Sequence, residues 1–214
     1  MKRLILAANL LAAFSLQAQQ SQSFEISADN WAEGEPPKEV FVVDGTIRIG
    51  SHDGNKAIVI DPNPITDASA QLAVSANGNA SIEARILATK RGRSTPRFGV
   101  SVHGMSGHRL IVNPAKKSLD LVKNNETLTS VPFDWTSDAW LKVKLAVQKS
   151  AGDAWNISGK AWAADAAEPA DPLIKYEDKA LKGQGKCAIW ATPFSGTPVY
   201  FDDIHLSVEA APAP

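Results

Sequence analysis

From Phe24 onward the chain alternates apolar and polar residues in short runs, broken about every ten residues by clusters of Gly, Pro, Asn and Asp. A period of two with closely spaced turn signals marks an antiparallel all-β sandwich or barrel. The runs predict twelve strands, at 40–43, 46–50, 57–60, 71–74, 81–89, 97–103, 108–113, 118–123, 140–148, 155–162, 186–191 and 199–208. Each clear strand offers one apolar face: Ile82, Ala84 and Ile86; Phe98, Val100 and Val102; Leu141, Val143, Leu145 and Val147; Trp155 and Ile157. The opposite faces are polar, so the sheets pack on one side only, and twelve strands suffice for two sheets around one core. The alanine-rich stretch 161–170 has helical propensity but is broken by Pro169 and Pro172, which makes it a loop. With no linker in view, 24–209 reads as one sandwich domain and 210–214 as a disordered tail.

The N-terminus changes the picture of where this domain works. Lys2 and Arg3 precede an apolar run over 4–16, and small and polar residues follow at Ala18 and Gln19. That arrangement predicts a secretory signal peptide over 1–18, and hence a secreted or periplasmic protein. The apolar run is too short to span a bilayer, so no membrane insertion is expected. Cleavage would remove Lys2 and Arg3 and move the net charge from −1 to about −3. Such a balance argues against a dedicated binder of nucleic acid or anionic membranes, which carries a basic excess. The single cysteine, Cys187, forms no internal disulfide and sits in an apolar strand, where an inert buried thiol is expected. A domain of this length buries roughly 70% of its unfolded surface and needs no staples.

The final segment, Gly183 to Val208, runs as a glycine-punctuated turn, an apolar strand, a Pro/Gly/Ser break and a last alternating strand interrupted by Asp202-Asp203. Aspartate is depleted in strands, so this pair suggests a bulge, a strand start or a cation site. Together with Asn30-Trp31, the strand and turn Phe41 to Gly45, Phe133-Asp-Trp135 ahead of the strand at 140–145, and Gly159 to Trp162, the succession resembles a concanavalin A-like, laminin-G-like jelly roll. More narrowly it is similar to secreted bacterial domains grouped with 3-keto-disaccharide hydrolases. The resemblance implies a carbohydrate partner. It also implies a structural Ca²⁺ where the N-terminal segment meets the last strand, with Asp202 and Asp203 as ligands and Glu25 or Asp29 completing the site; no other cofactor is required. The plainer reading is that both aspartates cap the last strand.

The laminarinase-like relatives carry Glu-x-Asp-x-x-Glu, which places two carboxylates for a retaining mechanism. This chain lacks it; Glu33 and Glu35 lie in a Gly/Pro-rich loop. Sugar recognition is better served by Arg97 and His103 on one strand, Arg109 and Asn113 on the next, and Trp162 as a stacking surface. Trp135, Trp162 and Trp190 are expected to be the exposed tryptophans, with Trp155 in the core. If the domain cleaves a keto sugar by elimination, His103 with Arg109 would be base and electrophile. His103 and His108 flank Gly104 to Gly107, and a four-residue hairpin would set the imidazoles opposite one another. Lys90, Arg91, Arg93 and Arg97 make a basic arm, either a solvated hairpin or an attractor of acidic glycans. The leading expectation is a glycan-binding domain. The alternatives are a keto-disaccharide-cleaving enzyme and an envelope module contacting protein; oligomeric state is not encoded in any visible feature.

Overall fold

A computed structural model describes residues 21–62, 67–150 and 152–210. The expected signal segment, and all of the expected tail except Ala210, lie outside the described residues. Among those described, the chain forms fourteen strands and one single-turn 3-10 helix. In order they are β1 (Ser21–Ile26), β2 (Val40–Asp44), β3 (Ile47–His52), β4 (Asn55–Ile60), β5 (Ala68–Ala88), β6 (Arg97–Val102), the 3-10 turn Gly104–Ser106, β7 (His108–Asn113), β8 (Ser118–Lys123), β9 (Glu126–Pro132), β10 (Leu141–Lys149), β11 (Trp155–Ala163), β12 (Ile174–Asp178), β13 (Gln184–Thr192) and β14 (Val199–Ala210). Every pairing is antiparallel. Among the described residues, no helix is long and apolar enough to cross a membrane.

Strand β5 organises the architecture, because its two halves belong to different layers. Its first half pairs with β2 and β13, and its second half with β10 and β14. The first layer therefore runs β12-β11-β10-β5-β14-β4-β3, with β1 continuing the β14 edge beyond β4. The second runs β2-β5-β13-β6-β7-β8-β9. A strand that changes sheet needs a local irregularity. Here Ala73 takes a left-handed conformation (φ 50°), Gly78 lies at φ 144°, and the β5–β13 register slips at Lys186/Cys187.

The layers meet where β10 packs across β6 and β7. Phe98, Val100 and Val102 are buried, as are Ile82, Ala84, Ile86, Leu141, Val143, Leu145, Val147 and Trp155, and all join one core. Gly159 of β11 lets the layers approach: a Cβ there would come within 2.8 Å of Leu110 on β7. Cys187 is part of the same core, and burial pushes its thiol up to about 12. The predicted strands at 71–74 and 81–89 are one continuous strand, and β1, β9 and β12 are additions to the predicted set.

Candidate functional site

Alternation along the second layer turns a set of side chains outward, away from the core. In β6 these are Arg97 and Ser101, with Gly99 between them; in β7 they are Arg109, Ile111 and Asn113; in β13 they are Ala188, Trp190 and Thr192. The ladder then sorts them into rows. Ser101 stands opposite Arg109 on one side and Ala188 on the other, and β5 extends that row with Gln71. Gly99 stands between Ile111 and Trp190, and Ser69 of β5 follows Trp190. Arg97 lies opposite Thr192. Gly99 is constrained by its neighbour strand, since a Cβ there would sit 1.9 Å from the Leu110 carbonyl oxygen. The bare backbone lets the Trp190 indole reach Ile111, and with Val122 they form a small apolar patch on the outer face.

Over that patch lies a trough made of two adjoining cavities, of about 260 and about 270 Å³, which share Asp67, Arg109 and Trp190 as walls. Ser69, Gln71 and Ser101 line one part, and Arg97, Asn113 and Asp120 line the other. Phe41 and Phe194, both more than half exposed, belong to the same layer and to the loop after β13. Trp190 is the structural centre of the trough. Its ring lies 5.6 Å from the Arg97 guanidinium and 5.4 Å from that of Arg109, and its Nε1–H donates to Asp67 at 2.9 Å. Cations over an indole face are held by the ring quadrupole, which fixes two otherwise flexible side chains. Arg109 is also 3.6 Å from Asp67 and donates to Asn125. Asp120 is satisfied locally, accepting from Asn113 at 3.1 Å and from Ser130 at 2.5 Å.

The structure thus brings Arg97, Arg109 and Asn113 together and leaves His103 and Trp162 elsewhere. His103 adopts a left-handed conformation (φ 61°) at the end of β6, which breaks the alternation that would have set it beside Ser101. Its ring is buried instead, with Nε2 2.8 Å from the Gly78 carbonyl and its edge against Trp155. Burial pulls its pKa down, against the opposing hydrogen bond to Gly78. No His103–Arg109 pair is assembled in the trough. Nor do the two histidines oppose one another: Val102 pairs with His108, so the loop begins at His103. His108 points inward, fully buried, with Nε2 3.1 Å from Asp178, which also receives Lys123 at 2.5 Å.

Trp162 does face outward, but from the first layer, opposite Lys142. It is only 8% exposed, and Trp190 only 4%, so the expectation that both lie open to solvent is corrected. Around Trp162 the chain folds back after β11: the Ala164 amide bonds to the Trp140 carbonyl, and Lys160 reaches the Pro169 carbonyl and Glu168. Trp190 is covered by its two arginines. Trp135 is partly buried against Phe98.

Asp202 and Asp203 form a β-bulge in β14, with Asp203 left-handed (φ 45°) and the register against β5 shifted there. They clasp Arg85. Its Nη2 donates to Asp202 at 2.7 Å and to Asn55 at 2.7 Å, its Nε lies 2.9 Å from Asp203, and its guanidinium covers Trp140 at 4.3 Å. The donors gathered there do not fit calcium: a guanidinium faces both carboxylates, and Glu25 and Asp29 turn to His205 and Ser27. No group of three or more His, Cys, Asp or Glu suited to a metal occurs among the described residues. Sequence reasoning missed Asp67, Ser69 and Gln71 as trough residues. Gln71 was recoverable from its polar phase in the predicted strand at 71–74, whereas Asp67 lies outside any periodic run.

No protein-family model matches this chain, and no curated protein sequence matches it. Solved structures do. The carbohydrate-binding module CBM66 from Bacillus subtilis is 12% identical, with a TM-score of 0.52 over 78% of this chain and 93% of that one. The carbohydrate recognition domain of Emp46p, in a metal-free form, is 9% identical with a TM-score of 0.54 over 81% and 89%. A mutant of alginate lyase Aly36B in complex with alginate trisaccharide is 12% identical with a TM-score of 0.56 over 88% and 98%. At such identities the likeness establishes the fold, a concanavalin A-like jelly-roll sandwich.

Proposed function

We propose that this is an exported carbohydrate-binding domain, and that its ligand lies in the trough on the outer face of the second layer. The observation that carries the reading is the composition of that trough. Hydrogen-bonding side chains from adjacent strands, Gln71, Ser101, Arg109 and Asn113 among them, line one continuous depression over the Trp190 patch. A sugar presents many hydroxyls around an apolar ring edge, and a rigid sheet carrying alternating donors and acceptors matches it without a reorganisation cost. Neighbouring folds named for carbohydrate recognition support the same reading. The signal-like segment at 1–18 supports an encounter outside the cytoplasm.

A glycan array on the purified protein, followed by calorimetric titration of the hits, tests this. Gln71→Trp would fill the part of the trough lined by Ser69 and Ser101, and Ser158→Trp would add the same bulk to the outer face of the first layer. Gln71→Trp is expected to abolish binding and Ser158→Trp to leave it intact. Equal effects of the two, or no hit on the array, would contradict the proposal.

A further inference from the structure

Six arginines lie among the described residues, and they divide cleanly. Arg48 is paired with Asp61, Arg85 with Asp202 and Asp203, and Arg109 with Asp67. Arg91, Arg93 and Arg97 have no carboxylate partner among the described residues. All three belong to one end of the second layer. Arg97 uses only its Nε, toward Thr192 at 3.3 Å, and its guanidinium lies 5.6 Å from the Trp190 ring and 5.9 Å from that of Phe194. Arg91 and Ser94 close a tight hairpin through reciprocal backbone bonds. The Arg91 guanidinium comes to 3.9 Å from the position a side chain on Gly196 would occupy, so it borders the same loop that carries Phe194.

The acids that line the trough are already engaged. Asp67 takes the Trp190 indole and Arg109, and Asp120 takes Asn113 and Ser130. Arg97 is thus a pre-positioned guanidinium, held by two aromatic rings, whose terminal nitrogens have no acidic partner in a protein that carries slightly more acid than base. A planar fork of this kind matches the two oxygens of an anion.

Resting on the carbohydrate reading above, we infer that the trough takes an acidic glycan, with a sugar carboxylate or sulfate ester seated on Arg97 and the Arg91–Arg93 hairpin drawing the chain toward it. The aromatic clamp gives orientation, and the unpaired hairpin cations give long-range attraction that salt weakens.

Titration calorimetry with three tetrasaccharides tests this: a galacturonate oligomer, a heparin-derived sulfated oligomer and neutral cellotetraose. The inference expects an acidic ligand to bind more tightly than the neutral one, and to weaken severalfold between about 50 mM and about 300 mM salt. Arg97→Gln should weaken the acidic ligands about tenfold or more, and by a clearly larger factor than it weakens the neutral one. Arg91→Gln, at an exposed position where folding is not at stake, should lower the salt dependence. Preference for the galacturonate or for the sulfated oligomer identifies which anion Arg97 holds, and either supports the inference. If cellotetraose binds as well as both acidic oligomers and Arg97→Gln changes nothing, the inference falls and carbohydrate binding stands. If no glycan on any array binds, both fall.

Discussion

Acidification should unlock the far end of the sandwich through His108. The ring is fully buried on the inner face of β7, and the groups facing it are Asp178 from β12, Lys123 from β8 and His103 from the adjoining turn. Burial pulls its pKa down to about 4; Asp178 opposes that pull, while Lys123 and His103 reinforce it. In the unfolded chain the same imidazole takes its proton near 6.5. Between those values the unfolded state binds a proton that the folded state refuses, so stability is complete above about pH 6.5 and drains away as the pH falls toward 4. The gap between 6.5 and about 4 is worth about 3 kcal/mol. Asp178 acts in the same direction at still lower pH. Burial would raise its pKa, but hydrogen bonds from Lys123 and the Ala180 amide and the Lys123 charge hold it below the usual range. Urea unfolding followed by tryptophan fluorescence, at about pH 7.5 and about pH 4.5, measures the loss in the wild type and in His108→Leu. The wild type should lose about 2 to 3 kcal/mol more than the variant over that interval. Equal losses, or an NMR titration of His108 with a midpoint near 6.5, would refute the reasoning.

Other consequences follow from the same packing. Phe98→Ala empties a fully buried site between the layers and should cost about 3 to 5 kcal/mol by urea unfolding; a cost under about 1 kcal/mol would mean that the side chain is not in the core. Arg85→Met strands Asp202, which is 2% exposed, beneath the bulge and should cost about 3 kcal/mol, most of it recovered on adding Asp202→Asn. Thermal unfolding of the single and double variants checks this, and an additive double variant would contradict it. Cys187, with its thiol pushed up to about 12, should resist thiol reagents in the folded protein and react after denaturation. Rapid labelling of the native protein would show that this part of β13 is open.

The legible strands include the central ones, together with the edge strands β2 and β3. Central strands such as β6 and β10 carry an uninterrupted period of two because one face meets the other layer, and their inward residues were identified correctly. The strands missed, β1, β9 and β12, are all at edges, where half of the backbone has no partner; β1 and β9 are also largely exposed, and β12 is only five residues long. The turn-like sequence Ser75 to Ala80 hid the continuity of β5, since the same Gly and Asn residues that signal a turn also serve a strand changing layers.

The candidate site shows the same division. Arg97, Arg109 and Asn113 were legible because alternation and adjacency of strands put them on one face. His103 was not, because one left-handed residue reverses the direction of a side chain without leaving a mark on periodicity. The fate of Asp202 and Asp203 turned on Arg85, 117 residues away from Asp202, a partnership only the register of β14 on β5 creates. Similarly, the Trp190 cover depends on Arg97 and Arg109 arriving from two other strands.

Amide chemical-shift mapping during titration with the tightest-binding oligosaccharide tests the central claim most directly. The account predicts perturbations clustered at Gln71, Gly99, Ser101, Arg109 and the indole N–H of Trp190. Shifts concentrated instead around Arg85, Trp140, Lys142 and Lys160, on the outer face of the first layer, would contradict it.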